Sequence, residues 1–145
     1  MTAGIVVVID QLTKIWAVAA LSDGPVSLIG DFLRLRLTRN PGAAFSSFLD
    51  GGPMLGVIAA VVAVVVAVIV PQIEERLDRF ALALVMGGAL GNFADRIFRG
   101  DGFLDGAVVD FVDLSFWPTF NAADSAISIG VTLLVISALF RREPA

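Results

Sequence analysis

No histidine and no cysteine occur in this chain, so any chemistry it performs must come from its 14 acidic residues, its hydroxyls or its single lysine, Lys14. The absence of cysteine removes thiolate nucleophiles, disulfides and Cys-based metal sites. The absence of histidine removes His-based triads and the H-E-x-x-H zinc hydrolases. Hydrolysis would then rest on carboxylates, on a serine (Ser46, Ser47 or Ser125) activated by Lys14, or on a threonine. Paired carboxylates are a complete apparatus by themselves. One takes a proton from water while a protonated partner polarises the scissile carbonyl, and their closeness keeps both from ionising together. The acids placed to do this are Asp95, Asp110 and Asp124, with Asp10 further away beside Lys14.

These residues are embedded in an apolar chain. It is 57% hydrophobic and 17% charged, with a mean hydropathy of +0.89. A soluble domain of 145 residues needs far more polar side chains to cover its surface, so the bilayer is the expected solvent. The net charge of −4 sits in a few interhelical patches, and nothing resembles a basic nucleic-acid surface. Four spans are predicted, over residues 2–21, 54–70, 80–98 and 122–140 of one membrane domain covering 1–145. The second is the clearest, bounded by Pro53 and Pro71, and none of the six prolines falls inside a predicted span. The first carries Asp10 and Lys14, which a cleavable signal would not tolerate, so it is read as a span. Only nine residues precede Asp10, and this span is expected to be short. Gly87, Gly88 and Gly91 in the third are small enough to let helices approach closely.

Four spans put both termini on one side and the two long connections, 22–53 and 99–121, on the other. Arginines do not decide the orientation. Arg76, Arg79, Arg141 and Arg142 lie on the terminal side, against Arg34, Arg36, Arg39 and Arg99 on the other. Residues 33–39 alternate apolar and polar, as a strand does, and end at the turn signal Asn40-Pro41-Gly42. Residues 107–112 are a second expected strand, preceded by the turn pairs Asp101-Gly102 and Asp105-Gly106. Phe116-Trp117-Pro118 sits where an interfacial aromatic anchor belongs. The expected architecture is mainly α, with four transmembrane helices and a small β-rich cradle formed by the two long loops.

In this arrangement Asn40, Asp95, Arg96, Asp110, Asn121 and Asp124 all fall at one membrane face, whichever way the chain inserts. A charge within hydrocarbon costs at least ~2.5 kcal/mol, so such residues are paired or functional. Asp10 and Lys14, four apart on one helical face, are expected to neutralise each other. Asp95 and Arg96 are expected to be structural, holding the neighbouring loop. Asp110 and Asp124, delivered from different elements to one boundary, suit aspartic hydrolysis. Two other readings stay open. A proton-coupled transporter could use Asp10, Lys14, Asp95 and Asp124 as a relay, although these gather at one face rather than crossing the bilayer. A Ser/Lys peptidase could use Lys14, although neither loop serine has a helical spacing that would fix it there.

Five blocks occur in order along the chain: Asp10-Gln11-Leu12-Thr13-Lys14, Asn40-Pro41-Gly42-Ala43-Ala44-Phe45-Ser46, Gly91-Asn92-Phe93-Ala94-Asp95-Arg96, Val108-Val109-Asp110-Phe111 and Phe120-Asn121-Ala122-Ala123-Asp124-Ser125. Together they resemble the motif blocks of the lipoprotein signal peptidases (signal peptidase II). The resemblance implies that Asp110 and Asp124 are a catalytic dyad, and that Asp10, Lys14, Asn40, Asn92, Asp95, Arg96 and Asn121 shape or support the site. It further implies an aspartic endopeptidase that cleaves diacylglyceryl-modified prolipoproteins before the lipidated cysteine. The implied setting is the bacterial cytoplasmic (inner) membrane, with cytoplasmic termini, an active site near the outer leaflet and sensitivity to globomycin-type inhibitors. Membrane lipid and the lipid-modified precursor are the implied partners, a monomer suffices, and no metal or cofactor is implied. The stretch 98–106 is longer than in many members of that family.

Overall fold

The computed structural model describes residues 1–42 and 51–140, which leaves 43–50 and 141–145, with Ala43 to Ser47, Arg141 and Arg142 among them, outside the described residues. Four helices carry the chain: α1 (Thr2–Ala20), α2 (Gly51–Ile69), α3 (Arg76–Phe98) and α4 (Ala122–Phe140). All four are long and apolar enough to cross a membrane, and their large apolar side chains face outwards. That inversion of the soluble pattern is stable only in lipid. In α3, glycines set how closely the neighbours approach. A Cβ at Gly88 would collide with the Ala123 carbonyl of α4, and one at Gly91 would stand 2.6 Å from Asp10 Oδ2 of α1. With both positions bare, α3 packs against each of the other three helices, while α2 leans chiefly on α3.

Two boundaries differ from the sequence expectation. Helix α2 begins at Gly51, so Pro53 lies inside it, in contrast to the prediction that no proline does. A proline in the first turn removes only an N–H that has no intrahelical acceptor. Helix α3 starts at Arg76 rather than near 80, because the charged turn Arg76, Asp78 and Arg79 extends the helix beyond its apolar segment. A short 3-10 turn, Val70–Gln72, ends α2 at Pro71.

Both long connections contribute to one antiparallel sheet at the same end of the bundle. Its strands β1 (Val26–Ile29), β2 (Leu33–Asn40), β3 (Val108–Leu114) and β4 (Trp117–Phe120) lie in chain order. The two central strands match the predicted ones closely, and the two edge strands were not anticipated. Pro118 is accommodated because β4 is an edge strand with no outer neighbour to receive an N–H. The sheet is seated on the helices by Phe111, which packs with Ala17 and Leu21 at the end of α1, flanked by Leu35, Leu37 and Val112. Trp16 meets Phe111 edge-on at 6.3 Å between ring centroids. This contact presents the start of β3 to the ends of α3 and α4. On the sheet, buried Asp113 accepts Arg34 at 2.9 Å and Arg36 at 3.1 Å across β2 and β3.

Candidate active site

Asp124 stands in the first turn of α4, and Asn121 caps that helix. The Asn121 side-chain oxygen accepts the Asp124 N–H at 2.9 Å, while Asp124 Oδ2 accepts the Asn121 N–H at 3.3 Å. This is a reciprocal capping box, which fixes Asp124 by satisfying N–H groups that the helix leaves open. Asp124 Oδ1 accepts Asn92 Nδ2 of α3 at 2.8 Å.

Asp110 comes from β3. Its Oδ1 accepts Asn121 Nδ2 at 2.7 Å and its Oδ2 accepts Asn40 Nδ2 at 3.3 Å. Asn40 is held by an Asx turn in which its own oxygen accepts the Gly42 N–H at 2.9 Å. Gly42 adopts φ +96, a conformation that favours glycine, so the turn signal read in the sequence has a direct use at the site. Asn121 thus touches both aspartates, one through its amide side chain and one through its backbone N–H. Burial pushes the Asp110 carboxyl up to about 6, and the negative Asp124 adds to the rise; the Asn121 and Asn40 donors and the more distant Lys14 act against it.

Beneath the pair lies a buried charge cluster. Lys14 Nζ contacts Asp10 Oδ2 at 2.8 Å, Asp95 Oδ2 at 2.8 Å and Asn92 Oδ1 at 2.9 Å, and its side chain is fully buried. Arg99 closes on Asp95 Oδ1 at 2.8 Å. Asp10 Oδ1 accepts the Ala123 N–H of α4 at 2.9 Å, and Asp95 Oδ2 accepts the Val109 N–H of β3 at 3.1 Å. The ion-pair partners of Asp95 are therefore Lys14 and Arg99 rather than the adjacent Arg96. Arg96 Nη1 instead donates to the Gly106 carbonyl at 3.1 Å, tying the loop before β3 to α3.

Asn40, Asn92, Arg96, Asp110 and Asp124 all line one cavity of about 480 Å³ whose remaining walls are aliphatic, including Leu55, Ile58 and Val62 of α2 and Ile127 and Val131 of α4. Every predicted site residue that is not in this cavity (Asp10, Lys14, Asp95 and Asn121) bonds directly to one that is, or to the residue just before Asp110 or Asp124. Two participants were not singled out from sequence. Gln11 Nε2 donates to Asp10, Asp95 and the Gly91 carbonyl, each at 3.1 Å. Arg99 lies four residues beyond Asp95, a helical spacing that the sequence does display.

The geometry also weighs on the rival readings. Lys14 spends its ammonium on two carboxylates and an amide oxygen, which leaves it no proton vacancy with which to activate a serine. The Ser125 hydroxyl donates to the Asn121 carbonyl at 3.0 Å, whereas Ser46 and Ser47 lie outside the described residues. Among the described residues, buried Asp10, Asp95 and Asp110 belong to the cluster near the sheet, whereas Asp78 is buried at the opposite end of α3, and no acid stands between Asp78 and Asp95 on that helix to make a file through the bundle.

The chain is similar to known proteins over most of its length. A family model described as Signal peptidase (SPase) II matches residues 2–140. The lipoprotein signal peptidase of Rhodococcus jostii (strain RHA1) is 48% identical over 143 residues, covering 98% of this chain and 72% of that protein. The lipoprotein signal peptidase of Mycobacterium tuberculosis (strain ATCC 25618 / H37Rv) is 41% identical over 139 residues, with coverage of 95% and 69%. A solved bacterial membrane enzyme superposes with a TM-score of 0.81 at 31% identity, covering 97% of this chain and 92% of the other.

Proposed function

We propose, because this chain belongs to the signal peptidase II family, that it removes signal peptides from diacylglyceryl-modified prolipoproteins using Asp110 and Asp124 as an aspartic dyad. The observation that carries the reading is the delivery of two carboxylates, from β3 and α4, to one largely aliphatic cavity. Asp124, at a helix N-terminus and held by two N–H donors, is placed to take the proton from water. Asp110, buried and raised to about 6, is suited to hold the proton.

In the proposed reaction Asp124 accepts a proton from water as the oxygen attacks the carbonyl carbon preceding the lipidated cysteine. Asp110 passes its proton to the carbonyl oxygen, and a neutral tetrahedral diol results. Collapse returns a hydroxyl proton to Asp110, the cysteine nitrogen takes the proton held by Asp124, and the C–N bond breaks. The aliphatic walls of the cavity suit the acyl chains of the diacylglyceryl group. Purified protein should therefore cleave a diacylglyceryl-modified precursor at least about tenfold faster, as kcat/KM, than the same precursor without lipid. That ratio needs only about 1.4 kcal/mol, a small part of what burying acyl methylenes supplies. Equal rates for the two substrates would remove the lipid from the reading.

The roles also fix a pH response. Raising the pH strips the proton from Asp110 and should lower kcat/KM on the alkaline side. Asn40 donates to Asp110 and favours its charged form. Asn40→Ala should accordingly move the alkaline limb to higher pH, as measured by initial rates across pH 5–9. A shift to lower pH would mean that Asp110 is not the group that must stay protonated. The same reading places the protein in the bacterial cytoplasmic membrane as a monomer, termini inside and sheet at the outer leaflet.

A further inference from the structure

Lys14 makes three contacts, and each leads to the dyad by one more hydrogen bond. Asp10 accepts the N–H of Ala123, the residue before Asp124. Asp95 accepts the N–H of Val109, the residue before Asp110. Asn92 donates to Asp124 itself. An ammonium has three protons, and here each has its own acceptor on a different route. The third route also sets direction. Asn92 Oδ1 receives both Lys14 and, at 3.2 Å, Asn121 Nδ2, so a flipped amide would face donors with a donor. Its Nδ2 must then point at Asp124.

We infer that Lys14 is the positioning residue of the dyad, a hub that sets the separation of the two aspartates by anchoring the backbone before each and by orienting the amide that faces Asp124. A plain charge-neutralising lysine would need only the two carboxylates. The inference rests on the dyad reading and adds to it a cause for the spacing of the pair.

The test compares three proteins in detergent on the lipidated precursor. Lys14→Met combined with Asp10→Asn removes one buried charge of each sign. This variant should keep KM within about twofold and lose about 10–100-fold in kcat as supporting residues do. Asn92→Asp keeps an acceptor for Lys14 but turns the donor facing Asp124 into an acceptor, and should lose about 100-fold in kcat while remaining folded. A folded double variant with the original kcat overturns the inference, as does Asn92→Asp at full kcat. Should the double variant not fold, Asn92→Asp decides alone. Asp110→Asn and Asp124→Asn run in parallel separate the two levels. Turnover by either ends the dyad reading, whereas their inactivity beside a fully active double variant ends only the hub.

Discussion

Replacing Asp124 with Asn is expected to reduce cleavage of a lipidated precursor by about 10⁴-fold, the scale on which a single member of a concerted hydrolytic group acts. The same loss is expected for Asp110→Asn. Asparagine keeps the shape of the carboxylate, and at position 124 its oxygen can still accept from Asn92 or from the Asn121 N–H, so the capping of α4 survives. The two variants should differ in stability. Asp110 has its folded carboxyl raised from 3.8 to about 6. A raised acid contributes stability in full below its unfolded value and loses it as pH rises through the folded one. Above pH 6 the ionised Asp110 therefore weighs against folding, by up to about 3 kcal/mol for a shift of this size. Asp110→Asn lifts that burden, and its Tm advantage over the parent should grow between pH 4 and pH 8. An advantage that shrinks over this range would mean that Asp110 is not held in its protonated form by the fold. Inactive and more stable at once is the expected outcome for a residue kept for chemistry.

The second large effect concerns Asp95. Removing its carboxylate by Asp95→Ala leaves Lys14 with one anionic partner instead of two, releases Arg99 and orphans the Val109 N–H. All of this lies at a fully buried side chain, where breaking an ion pair costs about 3–5 kcal/mol. Asp113→Ala offers the contrast. Its two arginine partners have side chains 36% and 49% exposed, so water can re-solvate them, and a cost of at most about 1 kcal/mol is expected. Thermal unfolding in one detergent should rank the two far apart, and comparable losses would show that the Lys14 cluster is not a structural keystone. Asp95→Ala should also depress turnover in the folded fraction, since β3 loses the anchor beside Asp110.

Hydropathy and strand alternation were enough to read the four helices and the two central strands from sequence, because both patterns are imposed along the chain by solvent. The edge strands escaped for the opposite reason. Every residue of β1 is exposed, and β4 contains Pro118, so neither carries a burial pattern to detect. The start of α3 was missed because Arg76 and Arg79 do not read as membrane, although they continue the helix. At the site, residue types and the order of the blocks pointed to the polar groups that gather there. The wiring between them was not legible. That Asp95 would reach the Val109 N–H and Asp10 the Ala123 N–H depends on how α1, α3 and α4 cross, which no local spacing encodes. Gln11 was passed over because an amide beside Asp10 has no periodic signature, and its three acceptors come together only in the folded bundle.

Among the described residues, helix α2 forms one wall of the cavity and leans chiefly on α3 rather than on α4, which forms the facing wall, so under the proposed function the side between α2 and α4 is the expected approach from the hydrocarbon. On that proposal, a precursor anchored by acyl chains comes in by that side without leaving the leaflet. Its encounter with the dyad is then a two-dimensional collision, governed by mole fraction in the lipid rather than by molarity in the tube. Diluting mixed micelles with more detergent at fixed protein and substrate should slow the reaction as though substrate had been removed. Under the proposed function, a Michaelis constant for this protein has meaning only as a surface concentration.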